Sequence, residues 1–201
     1  MKEYSLITTY KCNWDCPYCI QSDLGKNRTT ESVIDAVRKV DPRSWVSLSG
    51  GEPGMLTEDV LFEIVSILKE KDCITSICSN GQIFRYPKIV EMSDHILYHC
   101  SMNMELGDVV IKNVTDTPVE YVVIVTDNNF NNLDPFLEKH SDINIGLVPG
   151  SARSESARLN GDSLGNKNRI KMIQKYRDYI SDENFELLLS FEDRGCDDIY
   201  I

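Results

Sequence analysis

Apolar residues along this chain fall into short, nearly continuous runs that alternate with stretches of helical spacing. Strand-length runs lie at Tyr4–Thr9, Trp45–Leu48, Ile74–Cys78, Ile96–Ser101, Tyr121–Thr126 and Ile143–Val148. Tyr121-Val122-Val123-Ile124-Val125 lacks polar alternation, the mark of a strand buried on both faces, as in parallel sheets. Between the runs, Val33, Val37 and Val40 recur at i, i+4, i+7 after the cap candidates Thr29 and Thr30. Leu61, Ile64, Val65 and Leu68 form a stripe after Thr57, which suits an N-cap. Tyr86–Ser93 reads as a short helix, and Leu133, Phe136 and Leu137 as another, with Pro135 tolerated near its start. Met172, Tyr176 and Tyr179 place a sixth helix near Asn168–Ser181. In Met102–Glu120 the β-branched run Val109-Val110-Ile111 predicts that a fourth helix is short or absent.

Six strand–helix units with right-handed crossovers predict an α/β fold: a (β/α)6 partial TIM barrel on a mostly parallel sheet. Ligands of such sheets gather at the carboxyl ends of the strands. Residues 1–182 read as the core domain and 183–201 as a C-terminal tail, either a remnant or the start of an extension. Ser151–Asn168, rich in Ser, Gly, Asn and Arg, reads as a long loop, either a connector or a substrate lid.

Composition narrows the setting. Hydrophobic residues at 41% and charged residues at 26% of 201 describe an ordinary globular chain. No run of about eighteen apolar residues is present to span a membrane. Met1-Lys2-Glu3-Tyr4 leads straight into a strand-like run, so a cytoplasmic location with reduced thiols is expected. The net charge of -11 repels polyanions and disfavours intact nucleic acid as a partner. Arg153, Arg158, Lys167, Arg169 and Lys171 gather locally, as a solvated helix face or a phosphate contact.

Three of the seven cysteines stand in Cys12-Asn13-Trp14-Asp15-Cys16-Pro17-Tyr18-Cys19, directly after the first strand. Composition alone would produce this Cys-x3-Cys-x2-Cys spacing in about 1% of such chains. Three thiolates so spaced can hold three irons of a four-iron cube and leave the fourth open. Structural zinc wants a closed set of four ligands, and neither Cys73 nor His95, His99 or His140 supplies a paired knuckle. A disulfide would leave one of the three unpaired. A second motif, Gly50-Gly51-Glu52-Pro53, ends the second strand. Its glycines permit close approach of backbone to a ligand, Glu52 adds a charged acceptor, and Pro53 stiffens the exit.

Together the two motifs closely resemble the radical S-adenosylmethionine (radical SAM) enzymes, over Tyr4 to about Pro149. The resemblance implies a [4Fe-4S] cluster on Cys12, Cys16 and Cys19, with the methionyl amine and carboxylate of S-adenosylmethionine on the open iron. It sets Tyr18 near the adenine and gives Gly50, Gly51 and Glu52 the methionyl ammonium. Asn80, in the turn Ser79-Asn80-Gly81, would face the ribose or the substrate, and Ser101 the ribose or the methionyl carboxylate. Val148 and Pro149 would meet the adenine through their backbone. The implied chemistry is one-electron cleavage of the sulfonium, giving a 5′-deoxyadenosyl radical that takes hydrogen from a small metabolite or a peptidyl substrate. An electron donor such as flavodoxin is implied as well.

No catalytic residue for the second substrate is assigned. Cys78 and Cys100 are candidates for donating hydrogen to a substrate radical, against the reading, shared with Cys73, of a small buried apolar residue. Other expectations stay open: a glycyl-radical-enzyme activating enzyme with a protein partner, or a nucleotide- or nucleobase-modifying enzyme with Arg153 or Arg158 on phosphate. From another class comes a non-catalytic iron–sulfur or zinc module. Cys196 stands alone in the tail, so a minimal core without a complete auxiliary-cluster domain is expected.

Overall fold

The apolar runs become six strands in the computed structural model, which describes residues 1–19, 28–112, 115–150, 161 and 163–190. They are β1 (Glu3–Thr9), β2 (Trp45–Gly50), β3 (Ile74–Ser79), β4 (His95–His99), β5 (Val119–Val125) and β6 (Ile145–Pro149). One sheet holds them in chain order, and β1–β2, β2–β3, β3–β4 and β5–β6 pair in parallel. Parallel neighbours need a crossover, and helices supply it. The expected α/β, (β/α)6 order of a partial TIM barrel is the one observed.

The chain divides into two compact units. The first comprises Met1–Asp15, Cys19–His99 and Ile111–Glu120; the second comprises Cys16–Tyr18, Cys100–Val110 and Tyr121–Ile201.

In the first unit, α1 (Thr30–Arg38) is capped by Thr29, whose side chain accepts from the Ser32 N–H. Helix α2 (Glu58–Glu70) starts after Thr57, whose side chain makes no cap bond. Helix α3 is Pro87–Met92. The stripe Leu61, Ile64, Val65 and Leu68 is wholly buried, as are Val37, Val46, Leu48, Ile77 and Ile96. Burying one such side chain contributes roughly 1.5–3 kcal/mol. Strands β2 and β3 run to Gly50 and Ser79, past the apolar runs, because their polar last residues continue the ladder.

The second unit carries α4 (Ser101–Leu106), α5 (Leu133–Lys139), α6 (Asn166–Lys175) and α7 (Asp182–Ser190). Three expectations are corrected here. Ser101 does not close a strand: β4 ends at His99, and Ser101 opens α4. The sixth helix spans Asn166–Lys175 and passes into a 3-10 turn at Arg177–Tyr179, not a continuous helix to Ser181. Strand β6 starts at Ile145, two residues later than its apolar run. The fourth helix, expected to be short or absent, is short and stops at Gly107, whose φ is +71°.

Candidate functional site

In the first unit the two sequence motifs are bolted together by backbone. The Gly51 N–H donates to Thr9 O at 2.7 Å, and the Glu52 N–H to Lys11 O at 2.8 Å. A Cβ on Gly50 would stand 2.3 Å from Thr9 O, and one on Gly51 would stand 2.3 Å from Lys11 O. Neither gap admits a side chain, and Gly50 also has φ +125°. The pair of glycines therefore serves first to seat β2 against the segment entering the cysteine loop.

Glu52 is fully buried and its carboxylate is spent on three donors. Oε1 accepts from the Gly54 N–H and the Ser79 hydroxyl, each at 2.8 Å, and Oε2 accepts from the Asn80 N–H at 2.6 Å. Burial pushes this carboxyl above its ordinary range, and those three hydrogen bonds pull it back. The Ser79 hydroxyl in turn accepts from the N–H groups of Gly81 and Ile83. Gly81 has φ +106°, so the Asn-Gly turn is left-handed at its second residue. From this turn the Asn80 side-chain amide donates to Asn13 Oδ1 at 2.9 Å and to Cys12 Sγ at 3.5 Å. The Trp14 N–H also donates to Cys12 Sγ, at 3.4 Å.

Alternation along β1–β4 leaves one face apolar and the other hydroxyl-rich. On the polar face Ser5 bonds Ser49 at 3.3 Å, Ser47 bonds Cys78 at 3.3 Å, and Ser76 bonds His95 Nδ1 at 3.4 Å. Cys78 is thus a partly buried member of a polar row. His99 shares strand parity with His95 and ends β4, a position that its lone imidazole does not advertise in sequence.

Burial holds the His99 imidazole below its ordinary 6.5. The unfolded chain then takes a proton before the folded one does as pH falls. Stability is expected to decline below about pH 6.5, at up to 2.303RT per pH unit, until the folded-state pKa is passed. Urea midpoints between about pH 7.5 and 5.5 should fall less steeply in His99→Asn than in the wild type. Parallel curves would refute this.

In the second unit, Tyr18 and Ser101 come together. The Tyr18 phenol is hydrogen-bonded with Ser101, and burial pushes its pKa above the ordinary range. Ser101 Oγ accepts the Ile124 N–H at 2.7 Å, which explains why this residue sits on a helix start facing β5. Cys100 is fully buried, its thiol is pushed up to about 12 by burial, and its sulfur donates to Val122 O at 3.4 Å. A thiol so enclosed suits packing better than hydrogen donation. Val148 and Pro149 end β6 half-buried, paired with Ile124 and Val125. Sequence reasoning missed buried Asn129, which donates to Glu105 Oε1 and to Ile124 O, each at 3.0 Å. Lys171 lies over the Phe130 ring and Arg169 donates to Leu164 O. Arg153, Arg158 and Cys196 lie outside the described residues.

Cys12, Cys16 and Cys19 stand outside any disulfide. Among the described residues no group of three His, Cys, Asp or Glu side chains is drawn together as a metal site. The donor set itself, three soft thiols in one eight-residue run, suits iron–sulfur ligation.

Comparison with known proteins agrees with the two motifs. The radical SAM superfamily family model matches residues 6–103. A Methanocaldococcus jannaschii protein, provisionally named a glycyl-radical enzyme activating enzyme, is 31% identical over 94 residues. That match covers 45% of this chain and 37% of the relative. A solved structure of hexahistidine-tagged anSMEcpe with bound AdoMet has a TM-score of 0.65 at 16% identity, covering 89% of this chain and 58% of that one. Native anSMEcpe with bound AdoMet and Cp18Cys peptide gives 0.63 at 16%, covering 88% and 59%. The chain therefore spans less than two thirds of the length of each of these proteins. Both motifs fall within the span that the family model matches, and the solved neighbours share the fold: over residues 6–103 this chain matches the radical SAM superfamily.

Proposed function

We propose that the chain acts as a radical SAM enzyme, with Cys12, Cys16 and Cys19 holding a [4Fe-4S] cluster whose fourth iron takes S-adenosylmethionine. When bound, these groups supply hydrogen abstraction by a 5′-deoxyadenosyl radical. The observation that carries the reading is the backbone seam between the motifs. Residues 42 and 41 positions apart in sequence meet through Gly51 to Thr9 and Glu52 to Lys11, so Gly-Gly-Glu-Pro sits beside the start of the cysteine loop. In this reading Gly50, Gly51 and Glu52 meet the methionyl ammonium through backbone, since the Glu52 carboxylate already has three partners. Tyr18, Asn80, Ser101, Val148 and Pro149 complete the cofactor surround.

The substrate class in this reading is a small metabolite or a peptidyl group. The hydroxyl-rich face of β1–β4 suits a polar molecule. The Methanocaldococcus jannaschii relative favours a second reading, a glycyl-radical-enzyme activating enzyme with a protein partner. A cytoplasmic setting and a flavodoxin-type electron donor belong to the proposal. No helix among the described residues is long and apolar enough to cross a membrane.

The test is anaerobic reconstitution with iron and sulfide, then dithionite and S-adenosylmethionine. Formation of 5′-deoxyadenosine and methionine is expected. A chain that holds zinc in a closed site and yields no 5′-deoxyadenosine would be a binding module instead.

A further inference from the structure

Asn80 makes a contact that a simple turn residue does not need. Its backbone N–H is fixed by Glu52 Oε2, and its side-chain Oδ1 accepts the Gln82 N–H at 3.4 Å. That leaves Nδ2 to donate, and it faces two acceptors: Asn13 Oδ1 at 2.9 Å and Cys12 Sγ at 3.5 Å. The opposite amide orientation would set Nδ2 against the Gln82 N–H, donor against donor, so the backbone contact selects the orientation. Cys12 Sγ thereby receives two N–H groups, one from Trp14 and one from Asn80.

Hydrogen bonds to a ligating sulfur favour the more negatively charged state of an iron–sulfur centre. Reduction from [4Fe-4S]2+ to [4Fe-4S]+ adds one electron, here supplied by dithionite, and neither makes nor breaks a ligand bond. We infer that Asn80 is a positioning residue for Cys12, donating an N–H···S bond that raises the cluster's reduction potential. This rests on the cluster reading above. Glu52 acts through it: the buried carboxylate holds the turn from which the amide reaches the sulfur.

The test is potentiometric titration of the reconstituted protein, followed by EPR of the reduced cluster. Asn80→Ala should lower the reduced-to-oxidised ratio at a fixed potential about tenfold, equivalent to ~59 mV for one electron. Asn80→Asp should lower it further, since it replaces the donor with a charge. Asn13→Ala, which removes only the amide's other acceptor, should keep the wild-type potential. Unchanged potentials in both Asn80 variants at full iron loading would overturn the role of Asn80 while leaving the cluster standing. A wild-type chain that assembles no cluster removes the underlying reading, and the inference with it. Should the Asn80 variants lose iron, pulsed EPR of Asn13→Ala protein carrying asparagine 15N-labelled at the side-chain amide reads the contact directly. A nitrogen coupling to the reduced cluster supports it, and its absence overturns it.

Discussion

Cys12→Ala, Cys16→Ala and Cys19→Ala are each expected to abolish both iron–sulfur assembly and 5′-deoxyadenosine formation, down to the reagent background. The reason is ligand count. A cluster that leaves one iron for S-adenosylmethionine has only three protein thiolates, so losing one leaves two. Metal binding by thiols is also linked to folding of the segment that carries them, so the loop should become protease-sensitive in the same variants. Cys73→Ser supplies the contrast. Cys73 is buried, with its sulfur directed at Asp41 O, and lies outside the cysteine run. It should lower stability modestly while keeping the iron content. Measuring iron and sulfide per chain beside 5′-deoxyadenosine yield separates the two behaviours. Full iron loading and turnover in any one of the three loop variants would break the ligand assignment.

Much of this was legible before any coordinates, for a physical reason. A parallel strand buried on both faces must be apolar throughout, so Tyr121–Val125 announces itself; in β2 and β3 the alternation of Val46, Leu48 and Ile77 with serines marks the buried face; and the cysteine spacing is a local geometric requirement. What sequence hides is set by distant partners. Ser101 continues an apolar run, yet the chain leaves the strand at Cys100, whose N–H bonds Val122 O. No residue near Ser101 signals that bond. Helix α7 was missed because Leu187-Leu188-Leu189 reads as tail, without the spacing of an amphipathic stripe. Gly50 and Gly51 were legible as close-approach residues, but what approaches them is the β1 exit, which only the parallel register of β1 on β2 reveals. Glu52 is the largest such gap. In sequence it is a charged acceptor with no partner, and its three donors lie up to 28 residues away.

Glu52→Ala is expected to cost about 3 kcal/mol of folding stability, because it removes the acceptor for three donors at once. The Gly54 N–H, the Ser79 hydroxyl and the Asn80 N–H would face a cavity that water does not reach in the wild type, Glu52 being fully buried. One buried donor left unpaired costs roughly 1–3 kcal/mol, and three that share one acceptor do not simply add. The desolvation that raises the Glu52 carboxyl acts in the other direction, since the mutation relieves it. The three lost bonds outweigh it, and the urea midpoint should drop by roughly 1–2 M. Glu52→Gln separates charge from geometry. Its carbonyl can still serve Gly54 and Ser79, but its amide meets the Asn80 N–H as a second donor, so an intermediate loss of roughly 1–2 kcal/mol is expected. Both variants should also lower iron retention, because the Asn80 turn that reaches Cys12 is released. If Glu52→Ala instead unfolds at the wild-type urea concentration and keeps its iron, the buried carboxylate does not hold the two motifs in place. The seam would then rest on the Gly51 and Glu52 backbone bonds alone.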